Sequence, residues 1–236
     1  MIRLSLFGLA FGCATVTASA SSTTVWQAAS DNGFALADPA IMLPVSNLVR
    51  LGYFNQGFTD AMIAANAMSS SGLLAINAQF NEIGTSLIGN GSGNQNGYFR
   101  GNSVVLSGSA QAGAVGKQLV LWTFFSTNNT STTQTLETAL QTGIFYMDKA
   151  SDGRWQIPSD STADSFTEIE LTYLTGAGST AGLLPGAHVV VGSYSTGTAG
   201  ALNARNFQLA VVPEPTSAVL LLAGLGGFGL RRFRRK

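Results

Sequence analysis

Along most of the chain the apolar residues come in short runs rather than in long stripes. These runs are rich in β-branched and aromatic side chains and are separated by Gly, Asn, Ser and Asp, a pattern typical of strands joined by turns. The run at 119–125, Leu-Val-Leu-Trp-Thr-Phe-Phe, does not alternate with polar residues, which predicts a central strand covered on both faces. The full pattern predicts strands at 103–107, 118–125, 143–148, 154–157, 168–174, 189–194 and 207–212.

The part of the chain before these strands has a different spacing of apolar residues. Residues 60–68 and 71–83 are predicted to form helices, because the apolar residues from Leu73 to Ile83 recur at roughly helical spacing and the serines before them can cap the helix. Residues 146–155 are predicted to form two strands joined by a tight turn. The sequence therefore predicts a mainly β fold, an antiparallel β-sandwich or barrel-like body with one or two short helices near its N-terminal side.

The predicted body, residues 21–209, is long enough for one domain with a sizeable core. A Gly- and Asn-rich stretch at 89–102 has neither the glycine spacing nor the Lys-Ser/Thr ending of a phosphate-binding loop. Because Gly and Asn tolerate positive φ, this stretch is predicted to be a turn-rich surface loop. The polar run at 128–134 is predicted to be a solvated loop.

Charge changes this picture in two ways. Charged residues make up only 10% of the chain while hydrophobic residues make up 45%, which excludes an intrinsically disordered chain. Twelve basic residues balance twelve acidic ones, so there is no surplus of positive charge for binding nucleic acid. Half of the basic residues lie at the two ends of the chain, whereas acidic residues exceed basic ones between 21 and 212. Segregation of this kind is typical of export and topology signals.

The N-terminal segment has the layout of a secretory signal peptide. An arginine at position 3 precedes an apolar run at 4–16, which is too short to span a bilayer. Small residues then occupy the positions that a signal peptidase must accommodate, Ala18 and Ala20. We therefore predict a signal peptide at residues 1–20 with cleavage before Ser21.

The chain has one cysteine and one histidine. Cys13 offers an alternative processing route through lipidation, although the residues before it match the usual leucine-and-small pattern poorly. If cleavage follows Ala20, the mature protein has no thiol and forms no disulfide. The single histidine excludes a metal site built from several histidines, and we predict no metal and no cofactor.

The C-terminal segment, residues 210–236, is the most specific feature of the sequence. It contains Pro213, Glu214 and Pro215, an apolar stretch at 216–230, and a closing basic cluster of Arg231, Arg232, Arg234, Arg235 and Lys236. The prolines keep their surroundings extended, which suits a protease substrate. The apolar stretch is predicted to form a single helix about 22 Å long, with snorkelling arginines as a membrane stop on the cytoplasmic side.

This arrangement resembles the PEP-CTERM sorting tail of exported proteins from Gram-negative bacteria that make extracellular polysaccharide. The resemblance covers about a tenth of the chain and implies recognition by an exosortase, a membrane-embedded cysteine protease, at Pro213, Glu214 and Pro215. It also implies a precursor that is anchored transiently in the inner membrane through residues 216–230 and faces the periplasm. Delivery to the cell surface or extracellular matrix follows from the same resemblance. An ordinary single-span anchor is the alternative.

Candidate catalytic residues are few. His188 could act as a general base, but no nucleophile-elbow sequence accompanies it. Glu168 and Glu170 lie two positions apart on a predicted strand, so both are expected on one face, opposite Ile169. A pair of carboxylates can hydrolyse a glycosidic bond, although a polar outer face explains this pair more simply.

Two further sets of residues are candidates for binding. Four aspartates could hold calcium in loops, but their spacing matches no known calcium loop; they are Asp148, Asp152, Asp160 and Asp164. Three aromatic residues could form a platform that stacks on sugars, with core packing as the default alternative; they are Trp122, Trp155 and Tyr194.

Three functional hypotheses remain open. The first is an exported, non-enzymatic structural or adhesive component of the cell surface or matrix. The second is a carbohydrate-binding module of the exopolysaccharide matrix, and the third is a glycoside hydrolase based on Glu168 and Glu170.

Overall fold

The structure is a computed structural model that describes residues 21–28, 32–91, 93–107, 112–129, 131–158, 165–176, 182–199 and 203–213. The predicted signal peptide, with its cleavage residues Ala18 and Ala20, lies outside the described residues, and so does the predicted apolar helix at 216–230. In the part of the chain that is described, none of the helices has the length and apolarity needed to cross a membrane.

Strands dominate the described residues, which confirms the predicted mainly β character. The strands are β1 (Ser21–Gln27), β2 (Gly33–Ala35), β3 (Leu48–Phe54), β4 (Phe80–Leu87), β5 (Val104–Ser107), β6 (Val120–Ser126), β7 (Ala139–Met147), β8 (Ser165–Glu170), β9 (Ala187–Val191), β10 (Ser193–Ala199), β11 (Asn203–Gln208) and β12 (Ala210–Val211). The α-helices are α1 (Asp60–Asn66), α2 (Ser70–Asn77) and α3 (Thr132–Glu137).

The strands form one large and two small sheets. The large sheet has the order β12-β7-β6-β3-β4, and β9 pairs with β7 on the same edge as β12, further along the strand. The small sheets have the orders β5-β1-β8 and β10-β11-β2. In each small sheet one pair is parallel, β1 with β8 and β11 with β2, so the prediction of a wholly antiparallel fold is wrong. Parallel partners need long connections, and strands so far apart in the chain leave no local signal of their pairing.

The large sheet separates two hydrophobic cores. The first core lies between one face of the large sheet and the small sheets, and it contains Trp26, Phe34, Leu121 and Phe207. The second core lies between the other face of the large sheet and the helices. It contains Ile63 of α1, Leu73 of α2, Leu136 of α3 and Trp122. Successive residues of β6 therefore enter opposite cores, and the prediction of a central strand buried on both faces is confirmed.

The helices begin at polar caps. The hydroxyls of Thr59, Ser69 and Ser131 accept hydrogen bonds from the backbone N–H groups three residues further on, which favours helix initiation. The predicted helix at 60–68 is confirmed as α1. The predicted helix at 71–83 is wrong beyond Asn77, because Phe80 and Ile83 belong to β4, a strand that pairs with β3.

Three other local predictions are wrong, because a helix or a 3-10 turn forms where a loop or a strand was expected. The run at 128–134 leads into α3 instead of remaining a loop, because Ser131 caps a helix that buries Thr135 and Leu136. The predicted hairpin at 146–155 is absent, since Gly153–Trp155 forms a 3-10 turn in which the Asp152 carboxylate accepts from the N–H of Arg154. The predicted strand at 168–174 ends at Glu170 and continues as the 3-10 turn Leu171–Leu174.

Two predicted strands are each divided into two. The strand at 189–194 breaks at Gly192, whose φ is +108°, and so separates β9 from β10. The strand at 207–212 breaks at Leu209, where the chain leaves one sheet and joins another. The strands β1 to β4 were not predicted. β1 and β4 mix polar and apolar residues, β2 has only three residues, and β3 is held by pairing with β4 and β6.

Candidate functional site

The chain leaves the folded body at the end of β12. Between β11 and β12 it crosses from a small sheet to the large one, and the N–H of Leu209 donates to the carbonyl of Ala35 at 3.0 Å. Ala210 and Val211 then pair with Thr142 and Gln141 of β7 in antiparallel register. β12 therefore pairs with one part of the outer edge of β7, and β9 pairs with the other part.

Val212 makes the last backbone contact before the prolines. Its N–H donates to the carbonyl of Leu140 at 2.8 Å, and its side chain is only 3% exposed in the second core. Pro213 has no N–H and cannot continue this ladder, and it is exposed. The sheet thus extends through Val212, three residues into the range 210–236 assigned to the tail, and the Pro-Glu-Pro motif starts where pairing stops. Glu214, Pro215 and the arginines Arg231, Arg232, Arg234 and Arg235 lie outside the described residues.

The strand β7, which pairs with β12, is itself held by side-chain hydrogen bonds. The indole N–H of Trp122 donates to the hydroxyl of Thr142 at 2.9 Å, and this hydroxyl donates in turn to the carbonyl of Thr123 at 3.1 Å. The amide oxygen of Gln141 accepts from the N–H of Ala37 at 2.7 Å. Side chains on both faces of β7 therefore keep the edge that receives β12 in place.

His188 lies on β9 directly opposite Tyr146 of β7, and the two rings stack with centroids 4.4 Å apart. Asp60, at the start of α1, accepts from the hydroxyl of Tyr146 at 2.9 Å and lies 3.1 Å from Nδ1 of His188. Burial, followed by the nearby Asp60 carboxylate, raises the pKa of Tyr146 above its usual value. The contacts tie a helix to the sheet, and none of them places a nucleophile beside His188 among the described residues.

Glu168 and Glu170 lie on one face of β8, as predicted, while Ile169 between them is buried. The side-chain amide of Gln27 on β1 donates to both carboxylates, and the hydroxyl of Thr172 donates to Glu170 at 2.8 Å. The pair thus serves to join two parallel strands. Its proposed role in glycoside hydrolysis stays a prediction.

The described aspartates among the calcium candidates cap local turns. Asp148 accepts from the N–H of Ala150 at 3.0 Å. Asp152 accepts from the backbone and the guanidinium of Arg154, and these hydrogen bonds lower the pKa of Asp152. Asp160 and Asp164 lie outside the described residues, and within those residues no three metal-ligating side chains come together.

The aromatic candidates do not form a surface platform. Trp122 and Trp155 are fully buried, one in each core, and Tyr194 is half-buried against Phe207. The default alternative of core packing is therefore confirmed for the two tryptophans.

The structure shows a cleft that the sequence analysis missed. It has a volume of about 530 Å³ and lies where β3 begins, β4 ends and the Gly- and Asn-rich loop turns back. The predicted turn-rich character of this loop is confirmed, since Gly89 and Asn94 both have positive φ. Its second half is not all surface, because Tyr98 and Phe99 are buried in the first core. The glycine content was the only signal of this region in the sequence.

Comparison with known proteins identifies the tail and not the body. The family model described as the PEP-CTERM protein-sorting motif matches residues 211–236. The match confirms the resemblance drawn from Pro213, Glu214, Pro215 and the arginine cluster. No curated protein and no solved structure matches the chain. A tail of this kind implies an exported protein, made as a membrane-anchored precursor and sorted by an exosortase.

Proposed function

We propose that this protein is a non-enzymatic structural or adhesive component of the cell surface or extracellular matrix, released there after its tail is cut. The precursor faces the periplasm and is held transiently in the inner membrane through residues 216–230. The exosortase then recognises Pro213, Glu214 and Pro215. The observation that carries the proposal is the position of the motif, which begins one residue after the last anchored residue of the sheet.

The geometry of the exit supports processing at this point. Val212 is buried and hydrogen-bonded, whereas Pro213 is exposed and cannot join the β7 ladder. The motif therefore begins immediately outside the sheet, and a cut there leaves β12 paired. The body keeps all its sheet contacts after the tail has gone.

The structural contacts of the candidate catalytic side chains support a non-enzymatic body. His188 is stacked on Tyr146 and bonded to Asp60, and the two glutamates are bonded to Gln27. Each of these groups already has a structural partner. A body rich in paired strands with few charged residues suits a component that persists outside the cell.

Tail processing is tested by intact mass and cell fractionation of the protein in its native host. We expect the wild-type protein to lack its C-terminal arginines and to be found outside the inner membrane. The variant Glu214→Gln should accumulate uncut in the membrane fraction. The matched control is Glu137→Gln, which makes the same change at an exposed position of α3. Finding the wild type uncut in every fraction, or Glu214→Gln processed normally, would contradict the proposal.

The structural role needs a separate measurement. Deleting the gene should weaken matrix cohesion or change the composition of the cell surface, and expression of the wild-type chain should restore both. An unchanged matrix in the deletion strain would remove the structural or adhesive role while leaving the sorting of the protein intact.

A second candidate function is a carbohydrate-binding module, with extracellular polysaccharide as the partner. The tryptophans that suggested it are buried, so they lend it no support. The observation that favours it is the neutral, polar cleft beside the end of β4.

A further inference from the structure

The cleft lies on the edge of the large sheet, at the opposite end of the strand order from β12. Leu48 at the start of β3 and Leu87 at the end of β4 are paired in register and both line it. Leu87 is 42% exposed, although leucine side chains are most often buried. These two leucines give the cleft a small apolar surface that no other described side chain covers fully.

The polar part of the lining is neutral. It consists of hydroxyl and amide side chains, and none of the residues that line the cleft is charged; the polar residues are Ser46, Thr85, Ser86, Asn90, Asn94 and Asn102. Hydroxyls and amides both donate and accept hydrogen bonds. The cleft therefore suits a ligand with many neutral donors and acceptors, and it offers no charge to hold a phosphate, a carboxylate or an ammonium group.

The backbone around the cleft is held in an uncommon conformation. Within the described part of the chain, Ser46 and Asn94 are the residues other than glycine with positive φ, at 67° and 65°, and both line the cleft. A residue other than glycine in this region is strained, a serine more than an asparagine, and such strain is concentrated at ligand sites in proteins.

Backbone hydrogen bonds fix this conformation. The N–H of Ser46 donates to the carbonyl of Ile88 at 2.9 Å, and the N–H of Asn94 donates to the carbonyl of Gly89 at 3.2 Å. The N–H of Arg100 closes the loop on the carbonyl of Asn90 at 2.7 Å. A site that is already ordered loses less conformational entropy when a ligand binds.

We propose that this cleft binds a neutral sugar unit of an oligosaccharide or polysaccharide. The hydroxyls of the sugar exchange hydrogen bonds with Thr85 and the asparagines, while a C–H face of the ring rests on Leu87. A sugar combines these two kinds of surface, whereas an anion lacks a cationic partner among the lining residues and a purely apolar ligand would make no use of the hydroxyl and amide groups of the lining. The inference rests on the second candidate function and is independent of how the tail is processed.

Binding is tested with the full chain in a polyoxyethylene detergent, which has no sugar headgroup to compete. The probes are immobilised cello-, laminari- and malto-oligosaccharides, with oligogalacturonate and an extended neutral peptide as comparisons. We expect at least one neutral glycan to be retained in preference to the acidic glycan and the peptide. Retention of none of the three neutral glycans, or stronger retention of oligogalacturonate or the peptide, would overturn the proposal.

Variants locate the binding at the cleft. Leu87→Glu and Thr85→Val should each weaken retention by about tenfold, the loss of roughly one good contact. Leu184→Glu is the matched control, because Leu184 is 40% exposed and lies away from the cleft, and it should bind as the wild type does. Asn94→Gly provides a second test that keeps the positive φ, so it should weaken binding without lowering the melting temperature.

Unchanged retention in both Thr85→Val and Asn94→Gly would show that binding occurs elsewhere and would refute the proposal. Tail processing is measured on the same variants by intact mass. Normal processing together with lost glycan binding separates this site from the sorting function, whose own failure would appear in the mass of the wild-type protein.

Discussion

At the scale of single residues, the buried arginine of β3 is the most informative side chain. Arg50 is buried on the second face of the large sheet, where its guanidinium lies 4.6 Å from the Phe80 ring and 4.9 Å from the Trp122 ring. Its Nε donates to Glu82 at 2.6 Å, but Nη1 has no hydrogen-bond partner. Burial lowers the pKa of Arg50, yet an arginine stays charged at any ordinary pH. Among the described residues, Glu82 is therefore the one carboxylate that compensates the charge of Arg50, whose guanidinium lies against two aromatic rings.

This arrangement predicts an unequal effect of removing either member of the pair. Glu82→Gln should lower the free energy of unfolding by about 1–3 kcal/mol, because it leaves the buried guanidinium without a countercharge. Arg50→Met removes the charge and keeps the packing between the rings, so its cost should be smaller or absent. Urea unfolding of both variants measures the difference. Arg50→Met proving the more destabilising of the two would show that the ion pair itself stabilises the fold.

The Tyr146 hydroxyl predicts a difference at alkaline pH. The pKa of this phenol is raised in the folded state, so its contribution to stability is complete below the unfolded pKa of about 10 and is lost as the pH rises from there towards the folded pKa. Tyr146→Phe should cost about 1 kcal/mol at pH 7, since the hydrogen bond to Asp60 is lost. The gap between variant and wild type should narrow above pH 10.

Urea unfolding at pH 7, 9 and 10.5 checks this prediction. Tyr173→Phe is a second variant to compare, because the Tyr173 ring contacts the guanidinium of Arg154 while burial also raises the pKa of Tyr173. A gap for Tyr146→Phe that stays constant across the three pH values would mean that deprotonation of the hydroxyl is not linked to folding.

At the scale of secondary structure, the short strand β12 has an effect larger than its length suggests. Its last residue, Val211, is 55% exposed, whereas Val212, which follows the strand, is buried. The strand anchors the body immediately before the sorting motif. Loss of this anchor would leave residues 210–212 unpaired before Pro213.

These two valines make a matched pair of variants. Val212→Asp should destabilise the protein by about 2–4 kcal/mol, because it places an unpaired carboxylate in the second core. Val211→Asp should change stability by no more than about 0.5 kcal/mol, as is usual for exposed positions. Thermal unfolding and limited proteolysis near residue 210 provide the measurements. Equal effects of the two substitutions would show that β12 does not pack against β7 in solution.

The secondary-structure predictions succeeded where local signals and tertiary contacts agree. The apolar run of β6 identified a strand that is buried on both faces. The predicted helix at 60–68 forms as α1, which Thr59 caps. They failed where distant pairing overrides local preference. Phe80 and Ile83 continue a helical spacing but lie in β4, because β3 pairs with that segment on either side of a bulge at Ile83.

At the scale of the whole molecule, β6 couples the two cores. Leu121 enters the core beneath the small sheets, and its neighbours Val120 and Trp122 enter the core beneath the helices. The same strand therefore holds both sides of the large sheet. We infer that the body unfolds as one cooperative unit.

Two core substitutions test this cooperativity. Leu121→Ala removes contacts from the first core and Leu136→Ala from the second, and each should cost about 2–5 kcal/mol. In each variant, tryptophan fluorescence and far-UV circular dichroism should report one coincident transition. Leu184→Ala, at an exposed position, should leave the midpoint almost unchanged. Two separate transitions in either core variant would show that the cores unfold independently.

By itself, the sequence determined the sorting tail and the mainly β character of the body, because both depend on residues that are close together in the chain. The Pro-Glu-Pro motif and its arginine cluster lie within one short segment, and turn residues between apolar runs act over a few positions. Only the tertiary structure decided the parallel pairing of β1 with β8, the anchoring of Val212 and the cleft beside Leu87. Each of these brings together residues from distant segments, as the 141 positions between Gln27 and Glu168 illustrate, and the free energy of such contacts appears only when the sheets assemble.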